Sequence, residues 1–580
     1  MEFDTIIEKA LVVDGTGGPV FQADVAIQDD RIAAIDRLEN ASARERIAAQ
    51  GLVLCPGFVD VHSHADLTAH LDTQPNLLEP LVRQGITTCV GGNCGLSLAP
   101  VLPAHERAIF DFLDAFTGRD QRNDIGWRSF AEYLDRIETQ GTVLNMGFLA
   151  PHGIIRINVM GQHRRTAAPE ELEAMKRLLN ECLDAGALGL STGLQYFPGS
   201  QSDTDELVAL AEVVQAHGGV FTSHLRSYSN TLELAVDEIE EVSRRSGVRV
   251  QISHIFWIPQ THDLIDPWVR RLARVGSWVH RHTHAPIPID RALARLLHRL
   301  DRDIQQGTPL GIDGMPTAAG FTHLLAFFPP WVLEDNLEAV LQRVGDPAQR
   351  QRMFRDIVEG QSIWPHRAPG TWSMNFLKLM GWKGVFIMSV VTDKNKKFEG
   401  MNLHELGRAV GKHPFDAACD LLLQEHGRVL VFETFTRPDD PFIERSLRAT
   451  MQDPNVSIVT DAIMLGYGRP SHLFYDCYPK YIARYVRDAG LVTLPEAVRK
   501  CTSLPASQLG IPERGRIAVG APADLVLFDF ETIDTRSSFE TPDLFPTGVL
   551  RVWINGAPIV DEAGYHPEPR PGRVIRLRAA

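Results

Sequence analysis

Residues 56–64 of the 580-residue chain read PGFVDVHSH, an apolar run that ends in two histidines. The apolar residues after Pro56 and Gly57 predict a buried β-strand. Side chains alternate between the two faces of a strand, so His62 and His64 point to the same side. Two imidazoles one strand step apart can bind one divalent metal ion. Taken alone, the pair also fits an exposed strand with incidental histidines.

Seven similar runs follow, and amphipathic helical stretches lie between several of them. The runs are TTCVGGN, VLNMGFLA, ALGLSTG, GVFTSH, VRVQISH, PLGIDGM and VSIVTD. This alternation predicts a parallel α/β fold, and eight strands fit a (β/α)8 TIM-like barrel. In that fold, the carboxyl ends of the strands face the active site.

Both ends of the chain show β-type alternation that is broken by Gly and Asp turns. Either end alone would bury too little apolar surface, so we expect one small β-domain built from both. We assign residues 1–56 and 505–580 to this domain, and residues 57–504 to the barrel.

Two insertions are expected in the barrel, at about 262–310 and 331–455. The second contains Trp364, Trp372 and Trp382 among other apolar residues. It is either a hydrophobic cap over the site or a core of its own.

Composition excludes several classes of partner. With 58 Lys and Arg against 73 Asp and Glu, the net charge is −15, so nucleic acid is not expected. The chain has no apolar run of 18 residues and no basic amino-terminal segment, so we expect neither a membrane span nor a signal peptide. The seven cysteines form no CxxC pair, and their odd number prevents complete pairing. These features predict a reduced, cytoplasmic compartment.

Metal-ligating residue types stand at the ends of four more predicted strands. They are Cys94, His224, His254 and Asp461. Each alone is more often structural than a ligand, but their recurrence at strand ends is hard to assign to chance. Zinc accepts this mixture of imidazole, thiolate and carboxylate ligands. The sequence therefore predicts a site for one or two metal ions.

Nine segments, in order over nearly the whole chain, carry a family resemblance. They are GFVDVHSHAD, QGITTCVGGNCGLSLAP, APHGIIR, GALGLSTGLQYFPG, TSHLRS, ISH, VTDA, LPEAVRKCTSLPASQLGI and RGRIAVGAPADLVLFD. The chain resembles the D-aminoacylase (N-acyl-D-amino-acid deacylase) branch of the amidohydrolase superfamily, and Gly-Asn-Cys-Gly is specific to that branch. The resemblance implies the same barrel with a β-sandwich from both ends, and hydrolysis of a non-peptide C–N bond in a small-molecule amide.

The resemblance also implies roles for individual residues. One tightly bound zinc ion is expected at Cys94, His224 and His254. A second, weaker metal position is expected beside His62, His64 and Asp461. Asp461 is also expected to be the catalytic general base. The branch has Cys where many relatives have a carbamylated lysine, so no modified lysine is expected. His152 and Tyr196 are candidates for substrate contacts, with structural hydrogen bonding as the alternative.

The chain departs from the branch where the branch binds a free carboxylate. A Lys is replaced by Phe256, which Trp257 follows, and a tyrosine of the seventh-strand motif is replaced by Met315. After the eighth strand the branch has an Arg that contributes to carboxylate binding. The matching segment here runs from Arg469 to His472, and no Arg in it aligns clearly with that position. We therefore expect a neutral or hydrophobic N-acyl amide as the substrate, contacted by residues at these positions.

Alternatives remain open at this stage. Arg469 or Arg226 could restore carboxylate binding, which would make the protein a standard N-acyl-D-amino-acid deacylase. A cyclic-amide hydrolase or a lactonase could use the same metal centre. A non-catalytic scaffold is disfavoured because Asp461 and the histidines are all present. The sequence is also compatible with a homo-oligomer.

Overall fold

The structure of the chain is a computed structural model that describes residues 2–117, 125–258, 291–360, 363–367, 371–434, 444–568 and 570–577, with positions 272, 275 and 440.

Eight parallel strands form the barrel at the centre of the fold. They are Phe58–Asp60, Ile86–Gly91, Asn145–Phe148, Gly189–Gly193, Val220–His224, Arg249–Ile252, Leu310–Gly314 and Val456–Ile458. A short strand, Ala150–Pro151, joins the third barrel strand to the fourth. A bridge between Ser63 and Ala462 closes the barrel beyond the eighth and first strands. All eight predicted strands are present, and the predicted fold class is confirmed.

The barrel strands are connected and covered by helices. The α-helices of the described residues are Asp66–Ala69, Gln74–Arg83, Glu106–Thr117, Phe130–Gln140, His152–Met160, Pro169–Asp184, Thr204–Ala216, Leu232–Ser246, Arg291–Gln305, Leu337–Gly345, Pro347–Glu359, Phe376–Met380, Leu403–Val410, Pro414–Gln424, Arg448–Gln452, Leu473–Lys480, Leu494–Cys501 and Ser503–Gln508. A π-helix, Tyr481–Asp488, follows Lys480. No helix in the described part of the chain is both long and apolar enough to span a membrane.

Local sequence explains where these helices begin and which face they bury. The helix Phe130–Gln140 begins after Ser129, whose hydroxyl accepts a hydrogen bond from the Glu132 amide at 3.2 Å. The Glu132 carboxylate in turn accepts one from the Ser129 amide at 2.9 Å. This capping box satisfies amides that have no partner within the helix. Tyr133 and Ile137, four residues apart, lie on the buried face.

Strands from both ends of the chain form one nine-stranded sheet, which is the β-sandwich domain. Its strands are Phe3–Val12, Phe21–Gln28, Arg31–Asp36, Ala43–Ala48, Val53–Pro56, Leu525–Phe528, Val549–Ile554, Ala557–Asp561 and Gly564–Tyr565. The two ends meet where Val53–Pro56 pairs antiparallel with Leu525–Phe528. The last strand, Val574–Ile575, pairs instead with the third barrel strand. The domain bounds given above stay a prediction.

The long excursion between the seventh and eighth barrel strands has a sheet of its own. Three antiparallel strands, Gly320–His323, Val385–Ser389 and Leu430–Glu433, form this sheet. Trp382 packs against Phe354 and Phe415 among the surrounding helices, so it belongs to a core of the excursion. Of the earlier insertion, residues 259–290 lie outside the described residues except positions 272 and 275.

A buried polar network joins the barrel to the β-sandwich. Asp524 forms an ion pair with Arg514 and accepts a hydrogen bond from the Asn555 amide at 2.7 Å. Asn145, on the third barrel strand, donates to the same carboxylate at 3.2 Å. Asn555 Nδ2 also donates to Asn145 Oδ1 at 2.8 Å. Removing one partner leaves buried charges and polar groups unpaired, which is costly.

We therefore expect Asp524→Ala to lower the free energy of unfolding by about 3–5 kcal/mol, because the Arg514 guanidinium loses its buried partner. Chemical denaturation would measure this loss. Glu531→Ala is the control, since Glu531 is exposed and its removal should change stability by less than about 0.5 kcal/mol. Equal effects of the two substitutions would contradict the role given to the network.

Candidate metal centre

Five barrel strands direct metal-ligating side chains to one place. His62 and His64 follow the first strand, and Cys94 lies in a turn, Asn93–Gly95, after the second. The remaining donors are His224 at the end of the fifth strand, His254 just after the sixth and Asp461 just after the eighth. All six residues that the sequence analysis named as metal ligands are buried and lie together.

The donor atoms form two groups that share the Cys94 sulfur. One group is Cys94, His224 and His254, and the other is His62, His64, Cys94 and Asp461; donor atoms within each group lie within 4.8 Å of one another. Cys94 Sγ lies 3.6 Å from His224 Nδ1 and 3.9 Å from His254 Nε2. Ligand bonds of 2.0–2.3 Å in a tetrahedron place donors about 3.3–3.8 Å apart. The spacing therefore suits a metal ion.

The second group is arranged around the Asp461 carboxylate. Asp461 Oδ1 lies 3.4 Å from His62 Nε2 and 3.2 Å from His64 Nε2. It is buried and makes no hydrogen bond with the described residues. A buried carboxylate oxygen without a partner is unfavourable, and a cation would satisfy it.

Three of the donors have strained backbone conformations. Cys94, His254 and Asp461 have φ values of 54°, 34° and 54°. Such values are uncommon outside glycine and cost on the order of 1–3 kcal/mol each. Hydrogen bonds hold two of these conformations: the His254 amide donates to Asp313 Oδ1 at 2.5 Å, and the Asp461 amide to the His62 carbonyl at 2.8 Å. Strain of this kind concentrates at functional sites.

Burial sets the protonation states of the cluster. Desolvation lowers the pKa values of His62, His224 and His254, so these imidazoles are neutral at pH 7, the form that binds metals. Burial, and then the carboxylates of Asp461 and Asp313, raise the pKa of the Cys94 thiol well above its usual value. Without a cation the thiol would keep its proton. The donors therefore fit a divalent cation, whose charge stabilises the thiolate.

Gln195, which the sequence analysis did not select, orients one ligand. Its Oε1 lies 3.0 Å from His224 Nε2. An amide oxygen can only accept a hydrogen bond, so the hydrogen of His224 lies on Nε2 and Nδ1 is free for a metal.

Two buried carboxyl groups contact metal ligands or the backbone next to them. Asp313 Oδ1 lies 3.7 Å from His62 Nδ1, in addition to its bond with the His254 amide. Asp60 accepts hydrogen bonds from the Thr460 amide at 3.1 Å and the Thr460 hydroxyl at 2.5 Å. Burial raises the pKa of each carboxyl to about 7. The sequence analysis missed both as site residues, although Asp313 ends a barrel strand as the ligands do.

The proposed substrate-binding residues divide into two sets. Tyr196, Phe256 and Met315 line a cavity of about 490 Å³ at the metal cluster. The other four residues, His152, Trp257, Arg469 and His472, do not line it.

Each of these four side chains contacts other parts of the protein instead of the cavity. His152 Nε2 lies 2.9 Å from Glu206 Oε1. Arg469 donates to the Glu540 carbonyl at 3.0 Å, and His472 Nε2 lies 3.3 Å from Lys480 Nζ. Trp257 is partly buried against the main hydrophobic core. These side chains therefore contact protein groups outside the cavity.

Glu433 is a cavity residue that the sequence analysis also missed. It ends a strand of the excursion sheet and is 6% exposed. Its Oε2 makes no hydrogen bond with the described residues, and burial raises its pKa to about 8. The segment LVFE resembles any buried strand, so no local signal distinguishes this carboxyl.

The model of the Amidohydrolase family matches residues 45–294 and 445–560, more than half of the chain. The chain belongs to the amidohydrolase family. D-aminoacylase of Alcaligenes xylosoxydans xylosoxydans is 29% identical over 581 residues, which cover 100% of this chain and 98% of the relative. N-acyl-D-glutamate deacylase of the same organism is 30% identical, with the same two shares covered.

Solved structures agree with this membership. The crystal structure of a D-aminoacylase has a TM-score of 0.73 at 26% identity and covers 99% of this chain and 100% of that one. N-acyl-D-glutamate deacylase from Bordetella bronchiseptica, complexed with zinc and a phosphonate that mimics the tetrahedral intermediate, gives the same values. The protein is therefore a metal-dependent hydrolase of non-peptide C–N bonds.

We expect Cys94→Ala to weaken metal binding by about a hundredfold or more, because both donor groups lose their shared sulfur. Metal titration with a competing chelator would measure the affinity. Binding to the unsubstituted protein should also strengthen by about tenfold per pH unit near neutrality, since the thiol proton is released.

The matched control is Cys182→Ala, which removes a buried thiol from the helix Pro169–Asp184. It should leave metal affinity unchanged. If Cys94→Ala retained the affinity of this control, the sulfur would not be a ligand.

Proposed function

We propose that the protein is a zinc-dependent deacylase that cleaves an N-acyl amide and prefers a neutral or hydrophobic substrate. The observation that carries the proposal is the convergence of six donors at one place, five of which, Asp461 among them, line one cavity. Imidazole and thiolate ligands favour zinc over the harder divalent ions. The zinc complex of the related N-acyl-D-glutamate deacylase supports the same choice.

The proposed mechanism uses Asp461 to move protons. A divalent ion bound by these donors supplies Lewis-acid activation of water and of the amide carbonyl. Asp461 lines the cavity, so the carboxylate oxygen that does not bind the cation would accept the proton of the attacking water. The same carboxyl then returns the proton to the leaving nitrogen, which completes hydrolysis without a second acid.

Tyr196 is suited to bind the substrate carbonyl. Its hydroxyl accepts a hydrogen bond from Thr322 Oγ1 at 3.4 Å, which leaves its own hydrogen available. Burial raises the pKa of Tyr196 well above its usual value, so the hydroxyl remains a donor at neutral pH. Its ring centroid lies 4.8 Å from that of His224, which places it beside the metal cluster. We infer that Tyr196 orients the reacting carbonyl.

The absence of Lys and Arg from the described residues that line the metal cavity favours a substrate without a carboxylate. Arg226 donates to both oxygens of Glu238 and to the Ser200 carbonyl, so its guanidinium is used for structure. Arg469 does not line the cavity. A buried carboxylate needs cationic partners, so an anionic substrate lacks them among these residues.

A second candidate function is a standard N-acyl-D-amino-acid deacylase. The names of the full-length relatives favour it, since they include D-aminoacylase, N-acyl-D-glutamate deacylase and N-acyl-D-aspartate deacylase. Comparing N-acetyl-D-amino acids with their uncharged amides separates the two functions. Higher kcat/KM for the free acids would reject the preference proposed here.

We expect Asp461→Asn to lower kcat by about a hundredfold to ten-thousandfold, because the amide cannot accept the water proton. Steady-state kinetics with an N-acyl amide measure the loss. The zinc content of the same sample is the control, since Cys94, His224 and His254 remain. Full activity with normal zinc content would remove Asp461 from the mechanism.

Glu433 should make substrate preference depend on pH. Its pKa of about 8 means that the carboxyl is mostly neutral at pH 7 and mostly anionic at pH 9. An anionic substrate is then repelled at the higher pH. We expect the kcat/KM ratio of amide to free acid to rise roughly tenfold between pH 7 and pH 9.

In Glu433→Gln this ratio should not change with pH, because the side chain no longer ionises. Titrating groups that act only on the chemical step common to both substrates cancel in the ratio. Glu399→Gln is the matched control, since Glu399 also lies in the excursion but does not line the cavity. A pH-dependent ratio that persists in Glu433→Gln would assign the effect to another group.

A further inference from the structure

A buried tyrosine packs against two of the metal ligands. Tyr228 comes shortly after the fifth barrel strand and is 0% exposed. Its ring centroid lies 5.1 Å from that of His224 and 5.2 Å from that of His254. It is not among the described residues that line the metal cavity. Any effect of this side chain on the reaction therefore passes through the ligands that it contacts.

The Tyr228 hydroxyl joins the backbone beside both ligands. It accepts a hydrogen bond from the Leu225 amide at 2.9 Å and donates one to the Ser253 carbonyl at 3.1 Å. Leu225 directly follows His224, and Ser253 directly precedes His254. One oxygen atom therefore links the chain after the fifth strand to the chain after the sixth, at the two residues that carry the imidazoles.

This hydroxyl completes the restraint of the peptide unit before His254. The N–H of that unit, which belongs to His254, donates to Asp313 Oδ1 at 2.5 Å. Its carbonyl, which belongs to Ser253, accepts the hydrogen bond from Tyr228. Both ends of the unit are thus held, and the residue that follows it has a φ of 34°. A backbone conformation of this kind persists where the surrounding structure determines it.

The peptide unit after His224 is restrained in the same way. Its N–H, which belongs to Leu225, donates to the Tyr228 hydroxyl. Its carbonyl, which belongs to His224, accepts a hydrogen bond from the Leu194 amide at 3.0 Å. Buried backbone groups need such partners, because an unpaired one is unfavourable. Removing the phenol oxygen therefore releases one end of each peptide unit beside the two ligands.

Tyr228 is itself held on several sides. Its ring stacks on that of Phe256, with centroids 4.4 Å apart and an angle of 6° between the planes. Its amide donates to Met374 Sδ at 3.1 Å, and its carbonyl accepts from the Ile258 amide at 2.8 Å. Met374 belongs to the excursion, so the excursion contacts this support of the metal centre. A hydroxyl on a ring held in this way has a defined position, which precise placement of ligands requires.

We propose that Tyr228 is a positioning residue of the metal centre, whose hydroxyl sets the relative placement of His224 and His254. It thereby strengthens metal binding and fixes the angles between the ligands. The inference goes beyond the proposed function, since it holds whatever amide the protein cleaves. Groups that support metal ligands in this manner typically change metal affinity by roughly tenfold to a hundredfold.

The variant Tyr228→Phe removes the oxygen and keeps the ring. We expect its affinity for Co²⁺, measured against a competing chelator, to fall about tenfold to a hundredfold. The d–d absorption bands of the cobalt-loaded variant should also change in position and intensity, because they report the angles between the ligands. Unchanged affinity, or unchanged bands in the loaded variant, would overturn the proposal.

A second buried tyrosine provides the matched control. Tyr481 is 0% exposed, and its hydroxyl donates to the Met451 carbonyl at 3.1 Å. It lies in the π-helix and is not among the described residues that line the metal cavity. Tyr481→Phe therefore removes the same group from a buried site without touching the ligands. We expect its cobalt affinity and absorption bands to match those of the unsubstituted protein. A loss as large as in Tyr228→Phe would assign the effect to general stability and overturn the positioning role.

A conservative replacement keeps the test decisive if Tyr228→Phe folds poorly. Incorporating p-aminophenylalanine at position 228 supplies an amino group that can donate to the Ser253 carbonyl. We expect its cobalt affinity to exceed that of Tyr228→Phe by about threefold or more, since one of the two hydrogen bonds is restored. A folded protein with this residue but without a cobalt site would overturn the role of the bond.

Metal binding without substrate separates this inference from the proposed function. A cobalt site in Tyr228→Phe like that of the unsubstituted protein would overturn the positioning role alone. A weakened and altered cobalt site, together with no hydrolysis of any N-acyl amide by the zinc-loaded protein, would support the positioning role and reject the proposed function. Failure of the unsubstituted protein to bind either ion would overturn both.

Discussion

The arrangement of the site depends on burying a thiol, a carboxylate and four imidazoles together. In a region of low dielectric these groups lose hydration, and a Cys94 thiolate would be repelled by the nearby carboxylates. The Cys94 thiol therefore keeps its proton unless a cation is near. The barrel provides the required rigidity, because the donors follow five different strands and hydrogen bonds hold the backbone of His254 and Asp461. Stability and metal binding are therefore coupled: the energy of ligation offsets the cost of desolvation and of strain.

Much of the fold could be predicted because each barrel strand is a short apolar run, and six of the eight end in or just before a His, Cys or Asp. Parallel strands bring their carboxyl ends together whatever their separation in sequence, so His62 and Asp461 could be placed near each other from periodicity alone. Asp313 carries the same signal at the end of the seventh strand and could have been found. Glu433 could not, since it comes from a sheet inserted between barrel strands.

Loop residues were the least predictable part of the site. Arg469 and His472 occupy positions that the resemblance associates with carboxylate binding, yet neither lines the cavity. The Arg469 amide bonds to the Met388 carbonyl of the excursion, so a contact distant in sequence decides where this loop runs. Met315, which directly follows the seventh strand, and Phe256, four residues after the sixth, line the cavity, because a strand fixes the position of residues near its end. The excursion forms a core around Trp382, and its residue Glu433 lines the metal cavity.

The interleaving of both chain ends has a consequence for biosynthesis. Val53–Pro56 emerges from the ribosome early, but its neighbour Leu525–Phe528 is made more than four hundred residues later. The third barrel strand likewise pairs with Val574–Ile575, which is made later still. During translation, the amino-terminal strands therefore expose an unpaired edge, which is a template for aggregation. These pairings form only after most of the chain has been made, so the yield of the protein in cells should depend on chaperones that shield the nascent edge.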